Sequence, residues 1–146
     1  MLVFSSLITP AAAKMRVDRL SIESVAGGAA RTFDIEIASS DQEKSLGLMF
    51  RTQLPDTEGM LFPYGKTAGV SMWMHNTYIP LDILFIRADG TIVRIEARAE
   101  PLSDRVISSE VPVFAVLELA GGAAERLGIR AGDHVSHYVF GTGKAP

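Results

Sequence analysis

Cysteine is absent from this 146-residue chain. Disulfides, thiolate metal sites, redox pairs and cysteine nucleophiles are therefore excluded, while the compartment stays open, because a cysteine-free chain folds on either side of a membrane. Basic runs are missing as well: 14 Lys and Arg stand against 17 Asp and Glu, for a formal charge of −3. Non-specific nucleic-acid binding draws on a basic stripe that displaces counterions from phosphates, and an anionic membrane surface attracts a polybasic patch, so neither partner is expected. No apolar run approaches the roughly 20 residues that cross a bilayer as a helix, and no membrane span is expected in the mature chain. The G-x-S-x-G elbow, the H-E-x-x-H zinc helix, the P-loop and the G-x-G-x-x-G fingerprint are all absent. No enzyme class, resident metal or cofactor is indicated.

What is present suits one domain: at 47% hydrophobic residues the chain can bury a continuous core without covalent or metal help. Leu2–Ile8 is a short apolar run, followed by Pro10 and then Ala11-Ala12-Ala13, which has the small-x-small form of a signal-peptidase site. Residues 1–13 therefore read as a signal-peptide remnant and 14–146 as a single β-rich domain, exported to the periplasm or medium and beginning near Lys14. An ordinary first strand over residues 2–8 is the alternative.

Period-2 alternation dominates the rest. Leu20 and Ile22 alternate with Ser21 and Glu23, and Phe33, Ile35 and Ile37 with Asp34 and Glu36. Val93 to Glu100 alternates in the same way, a strand with one wet face. Ile83–Ile86 and Val113–Leu119 are apolar on both faces, as central strands are, and Ala88-Asp89-Gly90-Thr91 predicts a hairpin turn before the Val93 strand. Ser40-Asp41-Gln42-Glu43 is a capping box; Leu46, Met49 and Phe50 continue it as a helix of about two to three turns. A second short helix is expected from Gly121 or Gly122 to Leu127, closed by Gly128, and a last strand over His134–Phe140. Thr52–Gly69 and Pro101–Pro112 read as long irregular segments. The sum is a mainly-β fold, a β-sandwich or jelly-roll-like domain or a partly closed β-barrel, with two short helices.

Chemistry concentrates in Ser71–Asp82, which holds the one tryptophan and two of the six methionines. Soft apolar surface beside convergent polar groups is what a small-ligand pocket uses. A well-packed corner uses the same residues, with Met72 and Met74, or Trp73 alone, turned inward and Asn76, Thr77 and Asp82 bonding the turn.

The blocks Gly47-Leu48-Met49-Phe50-Arg51, Gly59-Met60-Leu61-Phe62, Trp73 to Thr77 with Ile79 to Ile86, Val116 to Leu119 before Gly121-Gly122, and Gly128-Ile129 with Gly132-Asp133 follow one another as in a bacterial and archaeal family. Through them the chain, from about Phe33 to Val139, resembles the "domain of unknown function 192" proteins. The resemblance implies a β-sandwich or jelly-roll-like fold, often behind a signal peptide, and no particular reaction. It carries over Arg51, Trp73, Asn76, Asp82 and Glu118; it departs at His75, where the family pattern has Lys or Arg, so no permanent positive charge is expected there.

Glu118 lies in an otherwise apolar strand, where a carboxylate needs a cation or donors. Arg51 is the expected partner, gripping it bidentately, either as a structural tie or as part of a site. The candidate ligand-binding set is Arg51, Met60, Trp73, His75, Asn76, Asp82 and Glu118: Trp73 as platform, Asn76 and Asp82 as orienting groups, and Arg51 with Glu118 as charged anchor. The function expected is an exported small-ligand-binding or accessory module. Three alternatives stand beside it: a protein-interaction domain with an apolar patch on Thr52–Gly69, a hydrolase using Asp82 and Glu118 as an acid/base pair, and a copper site from Met49, Met60, Met72, Met74 and His75.

Overall fold

A computed structural model describes residues 14–143; the signal-peptide reading of residues 1–13 lies outside the described residues. The strands are β1 (Arg16–Glu23), β2 (Arg31–Ile37), β3 (Glu58–Ala68), β4 (Ser71–Met72), β5 (Leu81–Ile86), β6 (Ile92–Ala99), β7 (Ile107–Ser108), β8 (Val113–Ala120) and β9 (His134–Ser136), with two helices, α1 (Asp41–Leu46) and α2 (Ala123–Leu127). Seven strands form one curled sheet in the order β6-β5-β8-β3-β2-β1-β9, and β4 pairs with β7 in a small second sheet. The fold is mainly β with two short helices, as the alternation predicted. Among the described residues no helix is long and apolar enough to cross a membrane.

The curl brings the two ends of the long sheet together. Thr91 bridges His134, the Ile92 amide donates to the Asp133 carbonyl at 2.9 Å, and the Val135 amide donates to the Gly90 carbonyl at 2.8 Å. Gly90 is required at this seam: its φ is +88°, and an added Cβ would run into the Val135 carbonyl and the His134 ring. The turn is a hairpin, as the Asp-Gly pair suggested, but it is wider than a two-residue turn, with Arg87 N–H reaching the Thr91 carbonyl and Thr91 N–H the Asp89 carboxylate.

One face of the sheet carries Leu20, Ile22, Phe33, Ile35, Leu61, Leu84, Leu117 and Leu119, joined by Ala123 and Ala124 of α2. The other face carries Met60, Phe62, Ile83, Phe85 and Val116, covered by Leu48, Val70, Met74 and Ile107 from the loops and the small sheet. Only the middle strands are covered on both sides, which is why β5 and β8 read as unbroken apolar runs; every residue of β5 is buried.

Four expectations change. Thr52–Gly69 is not irregular: β3 occupies Glu58–Ala68 and pairs in parallel with β2 and antiparallel with β8. Pro63 and Gly65 disguise it, and Pro63 sits where the pairing with β8 shifts register, the place where a missing N–H is tolerated. Helix α1 has the predicted capping box but ends at Gly47, with φ +47°, so Leu46 and Phe50 are exposed and Leu48 is buried in their place. The last strand stops at Ser136 and gives way to a 3-10 turn over Tyr138–Phe140. The wet face expected of β6 is half-buried, because Arg94 and Glu96 pair with each other at 2.7 Å and Arg105 closes on Glu96.

Candidate functional site

The register around Glu118 determines what it meets. Glu118 lies opposite Met60 on β3 and opposite Ile83 on β5, so its side chain projects to the face lined by Met60, Phe62 and Ile83. Asp82 lies opposite Leu119 and projects to the other face. Adjacent strand positions point to opposite sides of a sheet, and this separates the two carboxylates that an acid/base pair would need in one cleft.

Asp82 is also sealed. It is fully buried, and its Oδ1 accepts the amides of Arg98 at 2.8 Å and Gly122 at 2.9 Å, while Oδ2 accepts that of Ala124 at 2.9 Å. The pairing of β5 with β6 slips between Leu81 and Ile83; Arg98 takes a left-handed φ of +48° there, and its amide faces Asp82. Gly122 and Ala124 open α2, so Asp82 ties the start of that helix to the sheet. The hydrolase alternative is thereby overturned, and Asp82 is a structural group.

The predicted Arg51–Glu118 pair is not formed either. Arg51 does grip a carboxylate bidentately, but the partner is Glu36, at 2.7 Å and 3.0 Å. Glu36 is opposite Met60 on β2, two strands from Glu118 in the same cross-strand row. Both residues of the pair are partly exposed, so it acts as a surface tie between the tail of α1 and β2.

Glu118 is left alone. Its relative exposure is 4%, and among the described residues no hydrogen bond reaches its carboxyl. Burial pushes its pKa up to about 8, because desolvation disfavours the ionised form of an acid. It opens onto a cavity of about 270 Å³ lined also by Lys44, Leu46, Met49, Phe62, Tyr64, Met72, Trp73 and Thr77. Tyr64 is held up to about 12 by burial, with the nearby Glu118 charge adding to it. Its hydroxyl donates to the Met72 sulfur at 3.5 Å.

Three pieces of chain build the walls. Gly47 turns α1 down onto the sheet, where a Cβ would meet the Phe62 ring at 3.4 Å. The segment after β4 folds into a tight turn, with Thr77 N–H donating to the Met74 carbonyl at 3.1 Å and the Thr77 hydroxyl to the His75 carbonyl at 3.1 Å. Asn76 takes φ +51° in this turn, and its carbonyl accepts the Phe50 amide at 2.9 Å, so the α1 tail and the turn are fastened together. Met74 is fully buried beneath, and Trp73 is half exposed. Trp73 stacks on His75, with centroids 4.7 Å apart, and His75 Nδ1 is 2.6 Å from Asp104. The corner and the pocket offered as alternatives by Ser71–Asp82 thus coexist.

Of the seven candidate residues, Trp73 and Glu118 line one cavity. Met60 is buried beside Glu118, His75 backs Trp73, Asn76 shapes the turn by its backbone, and Arg51 and Asp82 belong elsewhere. The copper donors are likewise divided: Met60 and Met74 are core, and Met49 and Met72 line the cavity. Sequence reasoning missed Lys44, Phe62 and Tyr64. Phe62 and Tyr64 fall at two-residue spacing from Met60, a signal lost once Thr52–Gly69 was read as a loop.

Residues 22–137 match the family described as Uncharacterized ACR, domain of unknown function 192. The chain belongs to this family. Solved structures that share the fold include the following two. A protein from Sinorhizobium meliloti 1021, described as a candidate transcription regulator, is 39% identical, with a TM-score of 0.84 over 87% of this chain and 98% of that one. A protein of unknown function from Novosphingobium aromaticivorans DSM 12444 is 38% identical, with a TM-score of 0.80 over 84% of this chain and 86% of that one. Curated proteins yield no match.

Proposed function

We propose that this family member is an exported small-ligand-binding module whose site is the cavity between the α1 tail, the Trp73 turn and the β3–β8 floor. The observation that carries the proposal is Glu118, a buried residue whose carboxyl has no hydrogen-bond partner among the described residues and faces an aromatic-lined cavity. A group of this kind costs stability unless something completes it, and perturbed carboxyls in clefts cluster at functional sites. The chain's one tryptophan stands in the wall, so saturable changes in its fluorescence across a diverse fragment set report binding directly. Fragments that shift Trp73 in the parent and, by calorimetry, bind more weakly to Trp73→Ala support the site; a set without a single saturable response overturns it.

Export belongs to the same proposal. Mass spectrometry of the protein recovered from its native host should find a chain beginning near Lys14, and an intact Met1 terminus in the cytoplasm would refute export. The regulator description of the Sinorhizobium protein is not carried over to this chain, whose 14 Lys and Arg stand against 17 Asp and Glu with no basic run.

A protein-docking role is the second reading, and it moves from the place expected of it. Thr52–Gly69 is mostly strand, whereas Leu46, Phe50, Trp73 and Tyr78 are exposed, with Phe50 set edge-on to Tyr78 at 5.9 Å. Exposed apolar surface of this kind serves partners as well as ligands. Protection of residues 46–50 and 73–78 from hydrogen exchange by a co-purifying protein, with no fragment binding, favours docking over the cavity.

A further inference from the structure

The chemistry of the lining points further, to the charge of the ligand, and rests on the cavity being a binding site. Phe62, Tyr64 and Trp73 bring three aromatic rings to it, Met49 and Met72 bring two thioethers, and Glu118, a residue 4% exposed, supplies a carboxyl to which no described residue hydrogen-bonds. Rings and sulfurs present electron density, and the carboxyl accepts hydrogen bonds when ionised. All of these favour a cation over an anion or a neutral polyol. Tyr64 already shows the preference, with the Lys44 ammonium 5.6 Å from its ring centroid.

Besides Glu118, the polar side chains of the lining are the Lys44 ammonium and the hydroxyls of Ser45, Tyr64, Ser71 and Thr77. Lys44 is the one basic side chain of the lining, and its ammonium is engaged with the Ser39 carbonyl at 2.9 Å. The Thr77 hydroxyl is spent on the His75 carbonyl. An anion would therefore meet one already-bonded cation and a carboxyl that repels it when ionised and offers a single O–H donor when protonated. Lys44 also limits the charge that can enter, because a second positive group near it is repelled while the first is matched by Glu118.

We propose that the cavity binds a protonated monoamine, an organic ammonium of single charge with an apolar body, whose N–H groups donate to the Glu118 carboxylate while the body lies among Phe62, Tyr64 and Trp73. Binding below pH 8 is coupled to loss of the Glu118 proton, which passes to the buffer as the ammonium arrives. The Glu118 O–H bond breaks, the buffer base forms the new bond to that proton, and no other bond changes.

Three near-isosteric probes separate the classes: 2-phenylethylamine, 2-phenylethanol and 3-phenylpropanoate, titrated against the full chain by Trp73 fluorescence and calorimetry. The amine should bind at least about tenfold more tightly than either of the others, a discrimination of roughly 1.4 kcal/mol. Its affinity should rise about tenfold from pH 6 to pH 7 and level off above pH 8, as a carboxyl with this pKa loses its proton. Calorimetry in two buffers of different ionisation heat should register nearly one proton released per amine at pH 6. Glu118→Gln should abolish both the preference for the amine and the proton release. Equal or tighter binding of the alcohol or the propanoate overturns the amine class and leaves the cavity as a site; amine binding without proton release removes Glu118 from the interaction. Should neither these probes nor the fragment set perturb Trp73, both proposals fall together.

Discussion

Replacing Glu118 by Gln should make the protein more stable, and the gain should grow with pH. The native carboxyl has its pKa raised from 4.5 to about 8 by burial; in the unfolded chain it has the ordinary value. Below pH 4.5 the acid is neutral in both states and contributes no pH dependence. Between pH 4.5 and 8 the unfolded chain ionises while the native carboxyl stays protonated, so the unfolded state holds fewer protons and stability falls as pH rises. Above pH 8 both forms are ionised and the loss is complete. At about 1.4 kcal/mol for each pH unit of displacement, the full effect is on the order of 5 kcal/mol, a large share of the 5–15 kcal/mol typical of a domain.

Gln keeps the shape and hydrogen-bonding capacity of the protonated acid and cannot ionise. Urea unfolding of parent and Glu118→Gln across pH 5 to 9 should give similar free energies at pH 5. The curves should then diverge by about 1.4 kcal/mol per unit towards pH 8, reaching several kcal/mol. Parallel curves would refute the reasoning: they would mean that the carboxyl is ionised throughout, through water or a partner that reaches it in solution. Addition of an ammonium ligand should narrow the gap, since it restores the missing partner.

Asp82→Asn should cost about 2–4 kcal/mol in the same assay, because an amide nitrogen must face one of the backbone N–H groups that the carboxylate now accepts; a change below about 0.5 kcal/mol would contradict its sealing role. Arg51→Ala should cost under about 1 kcal/mol, the worth of a partly exposed pair with Glu36, and should leave the pH dependence assigned to Glu118 untouched; a loss of 3 kcal/mol or so would place Arg51 on a buried carboxylate after all. Gly90→Ala should open the seam between β6 and β9 through its positive φ and the Val135 carbonyl, seen as faster amide exchange at Ile92 and Val135 with the middle strands still protected. Unchanged exchange at those two amides would show that the closure does not depend on Gly90.

The architecture was legible in the sequence because burial on one face of a strand imposes an alternation that needs no knowledge of the partner strand. Leu20, Ile22, Phe33, Ile35 and Ile37 are buried as their spacing implied. The twofold cover of β5 and β8 was readable for the same reason, and so were the capping box at Ser40 and the left-handed Gly128, which answer to backbone geometry a few residues away. Of the site, Trp73 and Glu118 were legible as an unusual aromatic and as a charge in an apolar run.

Only the tertiary structure decided what those two residues meet. Whether Glu118 faces Arg51, Asp82 or a cavity is determined by strand register, and a shift of one residue in register sends a side chain to the opposite face. Register depends here on the parallel pairing of β2 with β3, on the slip beside Pro63 and on the bulge at Arg98, all of them contacts between segments distant in sequence. Local pattern identifies residues that need a partner; which partner they receive follows from how the chain closes.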